Sequence, residues 1–297
     1  MSGPPRPSRG RRGWRVVRAV LIAYLVVLLG MTFLERRLVY PAPQLAWGNW
    51  SPTGDDYEDV WIDVEPVGRS KNASRVHGWL FDRENADFAI LYCHGNGEDV
   101  SNQPLLARRL RDELNAVVLA FDYRGYGKSE GLPHESGVVA DGLAAAGWLA
   151  ARAGCRPDEL VLVGRSLGGG VATAIAAEQG AAALVLQSTF SRLIDAAAHH
   201  YPWLPVRWVM RNRFDSLARL KRYQGPVLVS HGTEDNVVPI EQGRRLFEAA
   251  VGRKSFVELA GLGHVDPQPT WYYGRLKAFL AGSDAAVPPS EGVATAN

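Results

Sequence analysis

The sequence predicts an α/β protein: a mostly parallel, eight-stranded sheet flanked by helices, with a small helical lid and an N-terminal transmembrane helix. Two observations carry that fold class. Short apolar or alternating runs of strand length recur along the chain, and segments with apolar residues at helical spacing separate most of them, which is the pattern of a parallel sheet with crossover helices. A glycine-flanked serine then stands at the junction of one such strand and one such helix, and further polar residues follow at later strand ends, where parallel sheets place their ligands.

The first element is an apolar run over 16–34. Arg6, Arg9, Arg11, Arg12, Arg15 and Arg18 crowd the residues before and at its start, so 1–15 reads as a basic flank. With Arg18 able to snorkel, the run approaches the roughly 20 residues that span a bilayer. No small-x-small cleavage site follows it, which favours an uncleaved anchor over a signal peptide. The arginine excess before the span predicts a cytoplasmic N-terminus and a globular domain on the outer side, although Arg36 and Arg37 oppose that orientation. A helix lying in the interface, with its arginines on anionic lipid, is the competing reading.

Strands are expected over 60–64 and 75–81, which alternate, and over 88–93, 116–121, 160–163, 183–186, 226–229 and 255–259, which are mainly apolar. Helical periodicity covers 103–114, 136–153, 167–178, 241–250 and 269–280. One globular domain over 57–281 accommodates them all. Residues 188–222 interrupt the alternation and are expected to form the lid; their Trp, Tyr and Leu residues favour an apolar ligand below. Residues 282–297, rich in Ala, Ser, Pro and Gly without apolar period, read as a disordered tail.

The serine lies in Gly164-Arg165-Ser166-Leu167-Gly168, after Leu160-Val161-Leu162-Val163 and before Gly169-Gly170-Val171-Ala172. A strand that turns sharply into a helix at a serine is a nucleophile elbow: small neighbours admit a strained backbone, which lifts the hydroxyl above the sheet. The amide of Leu167, at the new helix's N-terminus, would face an acyl oxyanion. An acid and a base are then required, and both follow in the order serine, acid, histidine. Asp235 lies in the loop after strand 226–229, with Glu234 as its nearest rival. His264 lies in Gly261-Leu262-Gly263-His264-Val265-Asp266, after strand 255–259. His264 is expected to act as base and then acid, with Asp235 fixing its tautomer. The turn His94-Gly95-Asn96-Gly97 after strand 88–93 is the expected oxyanion loop, with the amide of Asn96 as the second donor and His94 structural. The segment from Phe121 to Gly131 is expected to brace that loop or line the pocket mouth.

A phosphate-binding glycine turn is the plain alternative for the elbow, but no Gly-x-x-x-x-Gly-Lys-Ser/Thr pattern exists here. Asp235 as a loop cap and His264 as a satisfied loop histidine are the plain alternatives for the partners. His77, on an alternating strand, His134, at a helix start, and His231, before the acid loop, read as packed residues. His199 and His200 have no ligand-spaced Cys or carboxylate, so no metal site is expected. Cys93 and Cys155 are expected as free thiols. The hydrophobic content of 46% supplies an ample core, and a net charge of +2 argues against a nucleic-acid partner.

Together these segments resemble the α/β-hydrolase superfamily, and within it the membrane-anchored serine hydrolases that share His-Gly-Asn, Asp-Tyr-Arg-Gly-Tyr-Gly-x-Ser and Gly-x-Ser-x-Gly-Gly motifs, here His94-Gly95-Asn96, Asp122 to Ser129 and Gly164 to Gly169. The resemblance implies a serine hydrolase that forms an acyl-enzyme at Ser166 and needs no cofactor. Its expected substrate is a carboxylic ester or thioester of apolar, lipid-like character; amide or peptide cleavage stays open. The reading from another class is a non-catalytic, membrane-tethered binding module on the same fold, against which the intact Ser166, Asp235 and His264 speak.

Overall fold

The computed structural model describes residues 9–41, 48–54, 56–67 and 73–283. The first eight residues of the basic flank and the predicted tail from 284 lie outside the described residues.

Eight strands form one sheet: β1 (Glu58–Val64), β2 (Ser74–Phe81), β3 (Phe88–Cys93), β4 (Ala116–Phe121), β5 (Val161–Arg165), β6 (Ala183–Gln187), β7 (Val227–Gly232) and β8 (Lys254–Leu259). Their spatial order is β1-β2-β4-β3-β5-β6-β7-β8. β1, β2 and β4 pair antiparallel, and every pairing from β4 through β8 is parallel. The central strands are covered on both faces, which is why they read as continuous apolar runs; all six residues of β4 are buried. β1 is an edge strand, and it keeps the alternation of a ribbon with one wet face.

Nine helices, α1 to α9, are described. α2 (Pro104–Leu114) and α9 (Thr270–Leu280) cover one face of the sheet, and α3 (Glu135–Ala153), α4 (Leu167–Gln179) and α8 (Ile240–Ala249) cover the other. Their ends follow from local chemistry. His134 caps α3 by accepting the Gly137 amide at 3.0 Å, and α3 stops at Gly154, whose φ of 68° is the left-handed region that glycine enters without strain. The crossover from β3 to β4 leaves β3 on one side and that from β4 to β5 returns past it on the other. A switch point therefore lies between the C-terminal ends of β3 and β5, where such sheets open a crevice.

The segment between β6 and β7 carries α5 (Leu193–His200), α6 (Val206–Val209) and α7 (Ser216–Leu220). α5 and α6 pack on each other above the crevice, whereas α7 packs on α4 and α8 as part of the main body. The cover is thus shorter than the span 188–222.

Helix α1 (Arg9–Val39) is longer than the apolar run that announced it. Its stretch Gly13–Val39, which includes an 18-residue window of mean hydropathy 2.3, is long and apolar enough to cross a membrane. It does not stand apart from the domain. Tyr24 Oη donates to the Trp203 carbonyl at 3.1 Å, and Tyr40 Oη donates to Asn212 Oδ1 at 2.8 Å. Between them, Glu35 Oε1 accepts the amides of Arg211 and Asn212 and the Asn212 side-chain amide, at 2.8, 2.9 and 2.9 Å. α1 is clasped along the cover by groups near both ends of their contact.

Candidate active site

Ser166 sits between β5 and α4 with φ 51° and ψ −117°, a backbone that side-chain-bearing residues rarely adopt. Its surroundings hold it there. The Ser166 amide donates to the Gln187 carbonyl at 3.0 Å, and its carbonyl accepts Thr189 Oγ1 at 2.6 Å. The flanking glycines are obligatory for space: a Cβ on Gly164 would lie 2.4 Å from the Gly168 carbonyl oxygen, and one on Gly168 would lie 1.9 Å from that of Cys93. These close approaches seat the start of α4 directly against the end of β3.

The strain delivers the hydroxyl to His264. Ser166 Oγ lies 3.0 Å from His264 Nε2, and His264 Nδ1 lies 2.8 Å from Asp235 Oδ2. Because Nδ1 faces a carboxylate, it carries the proton and donates it; Nε2 then presents its lone pair to the serine hydroxyl. Asp235 is itself fixed. Its Oδ1 accepts the amides of Val237 and Val238 at 2.9 and 2.7 Å, which leaves Oδ2 for the imidazole. Glu234 points into solvent, so the structure brings Asp235 and not its rival to His264.

Burial alone would raise the Asp235 carboxyl. The hydrogen bonds from His231, His264 and the Val238 amide outweigh it and hold the group well below the usual carboxylate range. His231, which the sequence marks only as a packed residue, is fully buried, and its Nε2 lies 2.8 Å from the Val238 carbonyl oxygen and 3.2 Å from the same Asp235 oxygen that His264 uses, so its single N–H is shared between the two acceptors.

On the other side of Ser166, the loop after β3 arrives close enough that a Cβ on Gly95 would touch the serine Cβ at 3.6 Å. The Gly95 amide is occupied, donating to Glu98 Oε2 at 3.0 Å. Asn96 comes next, with its side chain turned back to accept Tyr126 Oη at 2.6 Å, and both Asn96 and Leu167 line the cavity beside Ser166. Leu167 opens α4, whose N-terminus has no side-chain cap; the Gly169 amide turns back to the Ser166 carbonyl at 3.0 Å, and the positive end of the helix dipole lies beside the cavity. His94 is buried, its Nδ1 2.8 Å from the Gly95 carbonyl oxygen, under the ring of Tyr123, whose hydroxyl holds the His94 carbonyl at 2.9 Å. The segment after β4 therefore braces the loop and does not line the cavity. Behind it, a buried, doubly bonded Arg124–Asp141 pair fixes that segment to α3.

Three contributors escape a motif reading. Arg165 donates from Nη2 to the His264 carbonyl at 2.8 Å and reaches towards Glu98 at 3.9 Å, so the variable position before the serine ties together the two loops that flank it. Thr189, one turn after β6, holds the strained peptide. The third is α1. The cavity above Ser166, about 770 Å³, is covered by α5 through Leu193 and Ala197, by the turn after it through Leu204, by α6 through Val206 and Val209, and by α1 through Leu28, Met31 and Leu38. Of the lid aromatics, Tyr201 and Phe190 line it. Trp203 and Trp208 turn outward, 59% and 89% exposed, because the cover's inner face is already filled by smaller aliphatic side chains.

The model of the alpha/beta hydrolase fold matches residues 89–220. An uncharacterised protein of Mycobacterium tuberculosis is 36% identical over 264 residues, covering 86% of this chain and 90% of that one. The chain belongs to the α/β-hydrolase family. The human alpha/beta hydrolase domain-containing protein 17B is 32% identical over 200 residues, covering 66% of this hydrolase and 67% of that protein. Among solved structures, an esterase of Pyrococcus furiosus superposes with a TM-score of 0.64 at 21% identity, covering 81% of this chain and 96% of its own. That likeness is one of fold. Both cysteines of the hydrolase are free; Cys93 is buried, and burial pushes its thiol far above the usual range.

Proposed function

We propose that this α/β-hydrolase is a membrane-tethered serine hydrolase that cleaves carboxylic esters or thioesters of apolar acyl groups. The observation that carries this reading is the hydrogen-bonded chain Asp235–His264–Ser166 at the floor of an apolar cavity. As Ser166 Oγ bonds to the acyl carbon, His264 Nε2 takes the hydroxyl proton, and Asp235 stabilises the imidazolium. The carbonyl oxygen, now negative, receives the amides of Asn96 and Leu167, each worth roughly 3 kcal/mol. His264 passes its proton to the departing alkoxide or thiolate, leaving Ser166 acylated. A water molecule then enters; as its oxygen bonds to the acyl carbon its proton passes to Nε2, and when the Oγ–acyl bond breaks Nε2 returns that proton to Ser166 Oγ, releasing the carboxylic acid and restoring the serine. The Pyrococcus furiosus neighbour is an esterase, which agrees with ester chemistry, and the arginine-rich start of α1 agrees with a tether.

The test is to treat the detergent-solubilised protein and Ser166→Ala with a fluorophosphonate probe, and to follow hydrolysis of p-nitrophenyl esters from acetate to palmitate. Labelling and turnover are expected in the wild type and are lost in the variant. A folded wild type that neither labels nor turns over any ester overturns the proposal.

A further inference from the structure

The shielded residues of α1 are not scattered. Half-buried Tyr24, Leu28, Met31 and Val39 and buried Glu35 recur at the three- and four-residue spacing of a single helix face, Gly30 and Thr32 are half-buried beside Met31, and the other side chains between them are exposed. Leu28, Met31, Glu35 and Val39 bound the same cavity as Ser166 and His264. A helix that only tethers needs no buried carboxylate. Yet Glu35 is 7% exposed, and all of its described hydrogen bonds run to the chain that leaves α6.

The contact also runs deep into the apolar run. The cover meets α1 from Val39 back to Tyr24, about 22 Å along the axis at 1.5 Å per residue. A membrane that accepts α1 as a span therefore also surrounds part of the cover. The surface there suits it: Leu34, Leu38, Tyr201, Val237 and Val265, on the rim of the cavity, are large apolar side chains left exposed, and Trp203 and Trp208 stand outside it. Aromatic and aliphatic side chains in that arrangement match the boundary of a bilayer better than open water.

Resting on the reading of Ser166 as the nucleophile, we infer that α1 is a wall of the acyl pocket as well as an anchor. The pocket takes a long acyl chain sideways from the leaflet; the Leu28–Met31 face of α1 sets how long a chain fits, and Glu35 is the positioning residue that holds that face in place.

The full-length protein in phosphatidylcholine proteoliposomes, assayed with p-nitrophenyl esters from acetate to palmitate, tests this. Each methylene seated against the wall contributes roughly fourfold in kcat/KM. Met31→Trp, which fills the wall, is expected to lower the palmitate-to-acetate ratio of kcat/KM at least tenfold, whereas Val26→Trp, on the exposed side of α1, leaves the profile unchanged. Glu35→Ala is expected to flatten chain-length preference through KM, and Glu35→Gln, which keeps the acceptor oxygen, to restore it. An identical profile in Met31→Trp and wild type, or a Glu35→Ala loss equal at every chain length, overturns the inference. Diluting p-nitrophenyl palmitate with phosphatidylcholine at constant total ester should lower the rate with its surface fraction; a rate that instead follows albumin-bound ester in the aqueous phase overturns entry from the leaflet. Failure of the Ser166 reading is distinct from all of these, since the wild type would then turn over no ester and take no fluorophosphonate.

Discussion

Asp235 is the residue on which most of the site's order converges. Two backbone amides hold one of its oxygens and two histidines approach the other. Asp235→Asn keeps that shape but offers His264 Nδ1 an amide, which either donates into it or reverses its tautomer. kcat should fall roughly 10⁴-fold in ester hydrolysis, as for a triad deprived of its acid. The same substitution reports on stability. The carboxyl is held below its unfolded value, near 3.9, so its contribution to folding is fully present above that value and is lost as pH falls through the lower folded one. Thermal unfolding in detergent should therefore separate wild type from Asp235→Asn at pH 6 and bring the two together as pH is lowered below about 4. A difference that widens on acidification would contradict the assignment of the hydrogen bonds. At this scale the sequence carried Ser166 and His264 openly, because each has a glycine-rich loop to itself. It left Asp235 and Glu234 in competition, since adjacent residues on one loop differ only in where the turn points them.

Among the elements, the loops that carry the site depend on a residue no motif specifies. Arg165 fixes the His264 loop through its carbonyl and faces Glu98 in the loop after β3, so it holds the two loops beside Ser166 in register. Arg165→Ala should lower kcat for short esters roughly 100-fold through misplacement of His264, with KM changed far less, and Arg165→Lys should recover only part of it because one ammonium lacks the guanidinium fork. An equal fall in binding alone, measured by KM with kcat intact, would remove the positioning role. The strands and most helices were legible because a sheet covered on both faces demands uninterrupted apolar runs, and because its crossovers demand helical periodicity between them. The cover was legible as an interruption but not in its extent. α7 has the same short, mixed composition as α5 and α6, and only its packing on α4 and α8 assigns it to the main body.

For the molecule as a whole, the unforeseen feature is the union of the apolar helix α1 with the domain. The apolar run was plain in the sequence, but the carboxylate that clasps it to the cover stands one residue past that run and reads as ordinary punctuation. Glu35 gains its meaning only from the amides of Arg211 and Asn212, 176 and 177 residues away. With α1 as the proposed span, this union makes orientation consequential, because whichever side holds the domain also holds the leaflet that faces the pocket. Six arginines precede or open the apolar run and two, Arg36 and Arg37, follow it. Lys and Arg near the ends of a span are retained on the cytoplasmic side, so the imbalance favours an outer domain. In sealed, right-side-out vesicles carrying the full chain with an N-terminal epitope, added protease should remove the domain and spare the epitope. Replacing Arg6, Arg9, Arg11 and Arg12 with Gln should then yield a population with some domains protected, because Arg36 and Arg37 would compete on nearly equal terms. Complete protection of the wild-type domain until detergent is added would place the pocket at the inner leaflet, and would mean that the two arginines beside the cover outweigh the six before it.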